Sequence, residues 1–113
     1  MLSRIMPYTL RGFWYYQGEN DDNRPDSYAQ LLTVLINRWR KDWGDETMPF
    51  LIVQLPMFSY EGEESRTNWA ELREAQMQVF RTLRNTGLAV TMDCGEYNNM
   101  HPADKRTVAH RLA

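Results

Sequence analysis

The sequence predicts an α/β domain in which a parallel sheet is flanked by helices. Three short apolar runs lack helical periodicity, which is typical of strands buried within a sheet. Between them lie segments whose apolar residues recur at helical spacing, as in helices that bury one face. Because strands and helices alternate, we expect parallel strands joined by right-handed crossovers. The 113 residues are enough for one small domain.

The first predicted strand is Gly12–Tyr16, which is apolar on both faces and is therefore expected to be covered on both sides. It follows residues 1–8, which resemble the last turns of a helix closed by Pro7. After the strand, a capping box at Ser27 predicts the start of a helix. Gly44 is expected to end that helix.

The same alternation continues through the second half of the chain. Pro49–Pro56 is an apolar run between prolines and is predicted to form the second strand. After a long polar loop, a helix is expected to begin at Asn68 and to end at Gly87. Leu88–Asp93 is the third predicted strand. All three strands should end at one edge of the sheet, because they run in the same direction.

Polar side chains accompany the ends of all three predicted strands. They are Gln17, Gly18, Glu19 and Asn20 after the first strand, Gln54 in the second, and Asp93, Glu96 and His101 at the end of the third and beyond it. Taken alone, the first group favours a turn, since Gly, Asn and Asp are turn formers. Their convergence on the carboxyl edge of a parallel sheet instead predicts a ligand site there.

His101 is the histidine best placed for chemistry, because it lies between the third strand and the last predicted helix. Histidine changes protonation near neutral pH, which suits a general base. Pro102 at the first helical position would make His101 the cap of a final helix, Ala103–Leu112. His110 falls on that helix and is interpreted as a surface residue.

The segment Gln17–Asn20 contains the donors that an oxyanion hole needs. Gly18 can bring a backbone N–H close to a ligand, and Gln17 and Asn20 both carry side-chain amides. Such donors stabilise the negative charge that develops on a tetrahedral intermediate. A nucleophile is lacking, because no serine of the chain follows a strand at a sharp turn.

Composition and charge argue against several other classes of function. The formal net charge is -2 and the pI is about 5.6, so we expect no nucleic-acid partner. No apolar stretch is long enough for a membrane span, and the first residues lack the pattern of a signal peptide. One well-placed histidine with scattered carboxylates lacks a metal-site spacing, so we predict no metal and no cofactor. The single Cys94 excludes an internal disulfide and is assigned a packing role.

Six segments, taken in order, resemble segments of the sialate O-acetylesterase family. Members of this family are carbohydrate esterases with the SGNH (GDSL-like) hydrolase fold. The six segments are WYYQGEN, WRKDWG, PFLIVQLP, WAELREAQ, NTGLAVTMDCGE and MHPADKRTVAHRLA. The resemblance implies a flavodoxin-like three-layer α/β/α domain and a serine esterase that removes O-acetyl groups from sugars. It matches His101 to the catalytic base. It matches Gln17, Gly18 and Glu19 to the family's QGE block, which supplies oxyanion-hole and site-shaping groups.

The chain departs from the family pattern in two places. The block with the nucleophilic serine is absent, so residues 1–113 are expected to be the carboxyl-terminal portion of one SGNH domain. Such a chain would need the amino-terminal half of the domain as its partner and would be inactive alone. The aspartate that family members carry shortly before the histidine is also absent. Asp93 or Glu96 would then orient His101, unless the histidine works from a backbone carbonyl as in a dyad.

Two functions from different classes therefore remain in competition. The first is an SGNH-type esterase that acts on O-acetylated carbohydrate, and the resemblance is compatible with a secreted or periplasmic location. The second is a non-catalytic carbohydrate-binding or interaction module that retains the fold. A Gly-Gln-Ser-Asn-like turn after a strand in the upstream sequence would favour the enzyme.

Overall fold

The structure, a computed structural model, describes residues 2–6, 8–62 and 66–113. Its strands are β1 (Phe13–Tyr15), β2 (Phe50–Val53) and β3 (Thr86–Ala89), and its α-helices are α1 (Pro25–Asp42), α2 (Asn68–Thr82) and α3 (Lys105–Leu112). The strands are mutually parallel and lie in the order β1–β2–β3. The fold is therefore α/β with a parallel sheet, and the predicted fold class is confirmed.

Alternation along β2 directs its side chains to opposite faces of the sheet. Phe50 and Ile52 are completely buried in a core cluster that they share with apolar side chains of α1 and α2. Leu51 and Val53 point to the other face, where α3 contacts β2 and β3 and buries Val108. Two helices thus cover one face and α3 covers part of the other, so the described elements form three layers.

Trp14 in β1 corrects the expectation that the first strand is covered on both sides. Phe13 and Tyr15 pack against the core cluster, and the rings of Phe13 and Phe50 are 5.5 Å apart. Trp14 points to the opposite face and is 68% exposed. The reason is that α3 packs on this face against β2 and β3, whereas β1 lies at the end of the sheet beyond it.

The start of α1 differs from the predicted capping box. Pro25 occupies the first turn, where its fixed φ suits a helix, and Ser27 lies inside that turn. The Ser27 hydroxyl donates to the Arg24 carbonyl at 3.2 Å, so it does not cap the helix and that prediction is wrong. Gly44 follows the helix with a φ of 69°, the left-handed conformation expected of a residue that ends a helix.

Gly87 lies within β3 and does not end α2, so this prediction is also wrong. The helix ends at Thr82, and Asn85 supplies the left-handed residue before β3, with a φ of 54°. A glycine is needed in the strand because of its neighbour β2. A Cβ atom on Gly87 would lie 2.6 Å from Leu51 Cδ2, so any larger residue would displace that side chain.

The two end elements are shorter than predicted. Near the start, the described residues form a single 3₁₀ turn, Leu2–Arg4, and Pro7 lies outside the described residues. At the other end, α3 is capped by Asp104, whose carboxylate accepts a hydrogen bond from the Thr107 N–H at 3.0 Å. His101 is therefore not the cap of this helix and lies in the loop that precedes it.

Arg40 on α1 ties the helix to the entrances of two strands. Its side chain is buried, its Nε donates to the Met48 carbonyl at 2.9 Å, and its Nη2 donates to the carbonyls of Arg84 and Asn85 at 2.9 and 3.0 Å. These three carbonyls precede β2 and β3. Arg40 therefore fixes where both strands enter the sheet relative to α1.

Replacement of Arg40 by Met should lower the free energy of unfolding by about 2 kcal/mol or more, because three carbonyls lose a charged donor. Urea unfolding of the full-length protein measures this change. The control is Arg38→Met on the exposed side of the same helix, where the arginine pairs with Asp42 in solvent. It should cost no more than about 0.5 kcal/mol. Equal losses at both positions would contradict the role given to Arg40.

Candidate functional site

The segments that follow the three strands are joined to one another at one edge of the sheet. The Gln76 side chain, on α2, donates to the Gln17 carbonyl at 3.2 Å and accepts from the Leu55 N–H at 2.9 Å. It thereby connects the ends of β1 and β2. The Ser59 N–H donates to the Tyr97 carbonyl at 2.9 Å, which connects the segments after β2 and β3.

We call this edge the rim, and it comprises residues 17–22, 54–60 and 91–104. Within it, the side chain of Gln17 is held from two sides. The Tyr15 hydroxyl donates to Gln17 Oε1 at 2.8 Å, and Gln17 Nε2 donates to Asp21 Oδ2 at 2.8 Å. The amide of Gln17 thus keeps one N–H for a further acceptor.

The residues after Gln17 form a tight turn that leaves the side-chain amide of Asn20 open to solvent. Gly18 has a φ of 144°, and its carbonyl accepts from the Asp21 N–H at 3.0 Å. In the part of the chain that the structure describes, the side chains of Glu19 and Asn20 make no hydrogen bond or ion pair. Glu19 is half-buried, whereas Asn20 is exposed and can reach a ligand.

The polar groups of Gln54 form hydrogen bonds within the fold. It is buried, its Nε2 donates to the Arg73 carbonyl on α2 at 3.0 Å, and its own carbonyl accepts from the Thr91 hydroxyl at 2.5 Å. Gln54 therefore holds the end of β2 against α2 and against the segment after β3. Its role in the rim is to join elements, and its amide is not directed at solvent.

His101 lies in a loop that is folded around the carboxylate of Glu96. Glu96 Oε1 accepts from the Ala103 N–H at 2.8 Å, and Oε2 accepts from Asn99 Nδ2 at 3.1 Å. Asn99 Oδ1 in turn accepts from the His101 N–H at 3.0 Å. The Ala103 and Asn99 donors hold the pKa of the Glu96 carboxyl below its ordinary value. Glu96 thus fixes the backbone on both sides of His101, whose side chain is exposed.

Asp93 is bound by Arg111 of α3. The guanidinium donates from Nη1 to Oδ1 and from Nη2 to Oδ2, each at 2.6 Å. These hydrogen bonds hold the pKa of Asp93 well below its ordinary value. A carboxyl whose folded-state pKa is lowered stabilises the fold above its unfolded-state pKa, and this contribution is lost as the pH falls through the folded-state pKa. The pair fastens α3 to the segment after β3.

Two further buried groups are the thiol of Cys94 in the rim and the hydroxyl of Tyr16 directly before it. Burial raises the pKa of the Cys94 thiol, which agrees with its predicted packing role. The hydroxyl of Tyr16 is buried and has no hydrogen-bond partner among the residues that the structure describes. Lys105 Nζ lies 5.0 Å from the centre of the Tyr16 ring.

Several catalytic and binding groups are missing from the described residues. No serine hydroxyl among them hydrogen-bonds to the His101 imidazole, and Ser59 Oγ donates to the Tyr60 carbonyl at 3.3 Å. Ser65 lies outside the described residues. No three His, Cys, Asp or Glu side chains in the described ranges form a cluster that could hold a metal ion. None of the described helices is long and apolar enough to cross a membrane.

The sequence does not single out three residues that organise the rim: Tyr28, Gln76 and Arg111. Tyr28 and Gln76 lie on the buried sides of α1 and α2, where a polar group is unusual. Such a position is the one signal that could have identified Gln76. Arg111 carries no comparable signal, because an arginine near the end of a helix is common.

The structure thus defines an α/β protein with a parallel sheet and with polar side chains gathered at its carboxyl edge, the edge at which α/β proteins that bind ligands usually do so. Residues 1–113 match the family described as carbohydrate esterase, sialic acid-specific acetylesterase, and the chain belongs to this family. The resemblance inferred from the six sequence segments is therefore confirmed.

Two relatives illustrate how much of a family member the chain represents. It is 33% identical to sialate O-acetylesterase of Rattus norvegicus and 30% identical to that of Homo sapiens. Each alignment covers 99% of this chain but 24% of the relative. The chain thus spans about a quarter of the length of these relatives.

Solved structures agree with the family assignment and with the fold. A carbohydrate acetylesterase from Xanthomonas citri superimposes with a TM-score of 0.89 and 38% identity, over 96% of this chain and 26% of that one. A protein from Arabidopsis thaliana superimposes with a TM-score of 0.72 over 97% of this chain and 44% of its own. Its identity of 23% shows a shared fold alone.

Proposed function

We propose that this chain supplies the general base and the oxyanion-binding segment of a serine esterase that removes O-acetyl groups from sugars. The observation that carries this proposal is the rim, where the turn at Gln17–Asn20 and the loop of His101 belong to segments joined at one sheet edge. Membership of a carbohydrate esterase family supports the reaction class. The substrate would be an O-acetylated carbohydrate.

The proposed reaction follows the chemistry of serine esterases. A serine from outside the 113 residues attacks the acetyl carbonyl, while His101 takes the hydroxyl proton and passes it to the departing sugar oxygen. The oxygen that becomes negative accepts hydrogen bonds from the Gly18 N–H and from an amide of Gln17 or Asn20. Water that His101 activates then releases acetate from the serine.

The serine would come from an amino-terminal half of the domain, seated on the sheet face that carries Trp14. Trp14 is largely exposed. Tyr16 follows β1, and its hydroxyl is buried without a partner among the described residues. A further layer packed over Trp14 would cover the indole.

Asp93 and Glu96 are both proposed to orient His101, and their contacts favour Glu96. Its carboxylate binds Asn99 and Ala103, on the two sides of the histidine in the chain. Asp93 instead binds Arg111 and would act by holding α3 next to the loop. Glu19 is proposed to shape the turn, although no arginine contacts it within the described ranges.

The test of the proposed function is His101→Ala in the full-length protein that contains this chain. We expect kcat for an O-acetylated sialic acid to fall by about 10²- to 10⁴-fold, the usual contribution of a general base. The control His110→Ala changes the exposed histidine of α3 and should leave kcat unchanged. If the wild-type protein binds the sugar without releasing acetate, the alternative of a non-catalytic carbohydrate-binding module is correct.

A second prediction distinguishes the two acids. Glu96→Gln places an amide NH₂ opposite the NH₂ of Asn99, so we expect the loop to shift and kcat to fall by about 10- to 100-fold. Asp93→Asn should have a smaller effect, and Glu74→Gln on the exposed side of α2 should have none. Steady-state kinetics of the full-length variants measure this order. Unchanged kcat in both Glu96→Gln and Asp93→Asn would favour a histidine dyad.

A third prediction concerns the 113 residues expressed alone. We expect no hydrolysis of p-nitrophenyl acetate and a self-associating or weakly cooperative chain, because the edge of β1 and the indole of Trp14 are uncovered. Sedimentation and thermal melting measure both properties. Trp14→Thr should reduce association, whereas Tyr8→Thr, which removes an equally exposed ring outside the sheet, should not. A wild-type monomer with a cooperative melt would contradict this proposal.

A further inference from the structure

The carbonyl of Gln17 is held by two side chains that are distant from it in the sequence. The Tyr28 hydroxyl, on α1, donates to it at 2.8 Å, and Gln76 Nε2, on α2, donates to it at 3.2 Å. Tyr28 is 3% exposed and Gln76 is 0% exposed. Two buried polar side chains thus donate hydrogen bonds to the same backbone oxygen, directly before Gly18.

The orientation of the Gln76 amide follows from its other contact. Its Oε1 accepts from the Leu55 N–H at 2.9 Å, and a backbone N–H can only donate. The NH₂ end must therefore face Gln17 and the Tyr28 oxygen, which lies 3.4 Å away. Burial raises the pKa of the Tyr28 phenol, so its proton stays available to the Gln17 carbonyl.

A fixed carbonyl also fixes the N–H of the same peptide unit. In a trans peptide, the C=O and the following N–H point in opposite directions, and the described residues contain no cis peptide. Because the Gln17 oxygen points towards Tyr28 and Gln76, the Gly18 N–H points away from these two side chains, although Gly18 itself is buried. It donates no hydrogen bond within the described part of the chain.

Tyr28 also explains why residue 18 is a glycine. A Cβ atom there would lie 3.0 Å from the Tyr28 hydroxyl and 3.2 Å from Leu55 Cδ1. The φ of 144° is likewise unfavourable for any other residue. The peptide between Gln17 and Gly18 is therefore confined by hydrogen bonds at its oxygen and by close packing at its next Cα.

We propose that Tyr28 and Gln76 are positioning residues that aim the Gly18 N–H at the oxyanion of the acetyl-transfer intermediate. This inference rests on the proposed esterase function. A donor that is aimed in advance costs no reorganisation when the charge develops, and this is the basis of oxyanion stabilisation. The contribution arises in the transition state, so its loss should lower kcat and leave KM nearly unchanged.

The experiment compares Tyr28→Phe with Tyr8→Phe in the full-length protein. Tyr28→Phe removes one donor to the Gln17 carbonyl and keeps the ring, whereas Tyr8 is 69% exposed and lies outside the rim. We expect Tyr28→Phe to lower kcat about tenfold at nearly constant KM, part of the 10²- to 10³-fold effect of losing a whole oxyanion donor. The rate constant with which an aryl methylphosphonate ester phosphonylates the serine, with loss of the phenolate, should fall by the same factor, because the adduct carries the tetrahedral charge.

A second variant separates positioning from folding. Gln76→Met keeps the shape of the side chain but removes its three hydrogen bonds, and it should lower kcat at least as much as Tyr28→Phe. Circular dichroism and melting temperature show whether each variant is folded at the assay temperature. Folded Tyr28→Phe protein with unchanged kcat would overturn the inference, and so would a loss of activity that only follows a loss of folded protein.

The activities of the wild type, His101→Ala and Tyr28→Phe together distinguish a failure of this inference from a failure of the proposed function. A full-length protein without acetyl-ester hydrolysis would overturn both. In a second outcome, the wild type is active, His101→Ala is inactive, and Tyr28→Phe is folded with unchanged kcat. This outcome would support the proposed esterase function and reject only the positioning role of Tyr28. A tenfold fall in kcat with constant KM supports both.

Discussion

The side-chain amide of Gln76 is completely buried on α2 and hydrogen-bonds to the backbone at the ends of two strands. A buried amide that loses its partners costs about 1–3 kcal/mol, so the fold strongly favours the arrangement in which all of these bonds are made. That arrangement fixes the Gln17 carbonyl relative to Leu55, and with it the turn that begins at Gly18. The geometry of the rim therefore depends on one side chain that never reaches the surface.

The two halves of the candidate site are held by different means. The glycine turn is fixed from inside the core, by Tyr28 and Gln76, where water does not compete for the hydrogen bonds. The loop of His101 is fixed at the surface by Glu96 and Asn99, whose hydrogen bonds are exposed to solvent. Hydrogen bonds in solvent contribute less than buried ones, so the glycine turn is the more rigid half. In the proposed esterase, the glycine turn holds the donor for the oxyanion in a fixed position.

The sheet carries one well-packed face and one incomplete face. On the packed face, Phe50 and Ile52 are enclosed by α1 and α2. On the other, α3 contacts β2 and β3, while Trp14 in β1 stays exposed. This asymmetry fits a chain that spans about a quarter of its relatives' length, and the proposed amino-terminal half would complete the uncovered layer.

The order of the three strands and of the three α-helices that follow them could be predicted from the sequence, because apolar periodicity distinguishes a helix from a strand. The parallel sheet followed from their alternation, and a site at its carboxyl edge was predicted from the polar residues after the strands. Which face of β1 is covered could not be predicted, since the exposure of Trp14 depends on the elements that pack against the strand. Gly87 likewise lies close to the Leu51 side chain of the neighbouring strand. Tyr28 and Gln76 hydrogen-bond to Gln17, from which they are 11 and 59 positions away in the sequence. Local pattern carries no information about such contacts, because they form only when distant segments pack together.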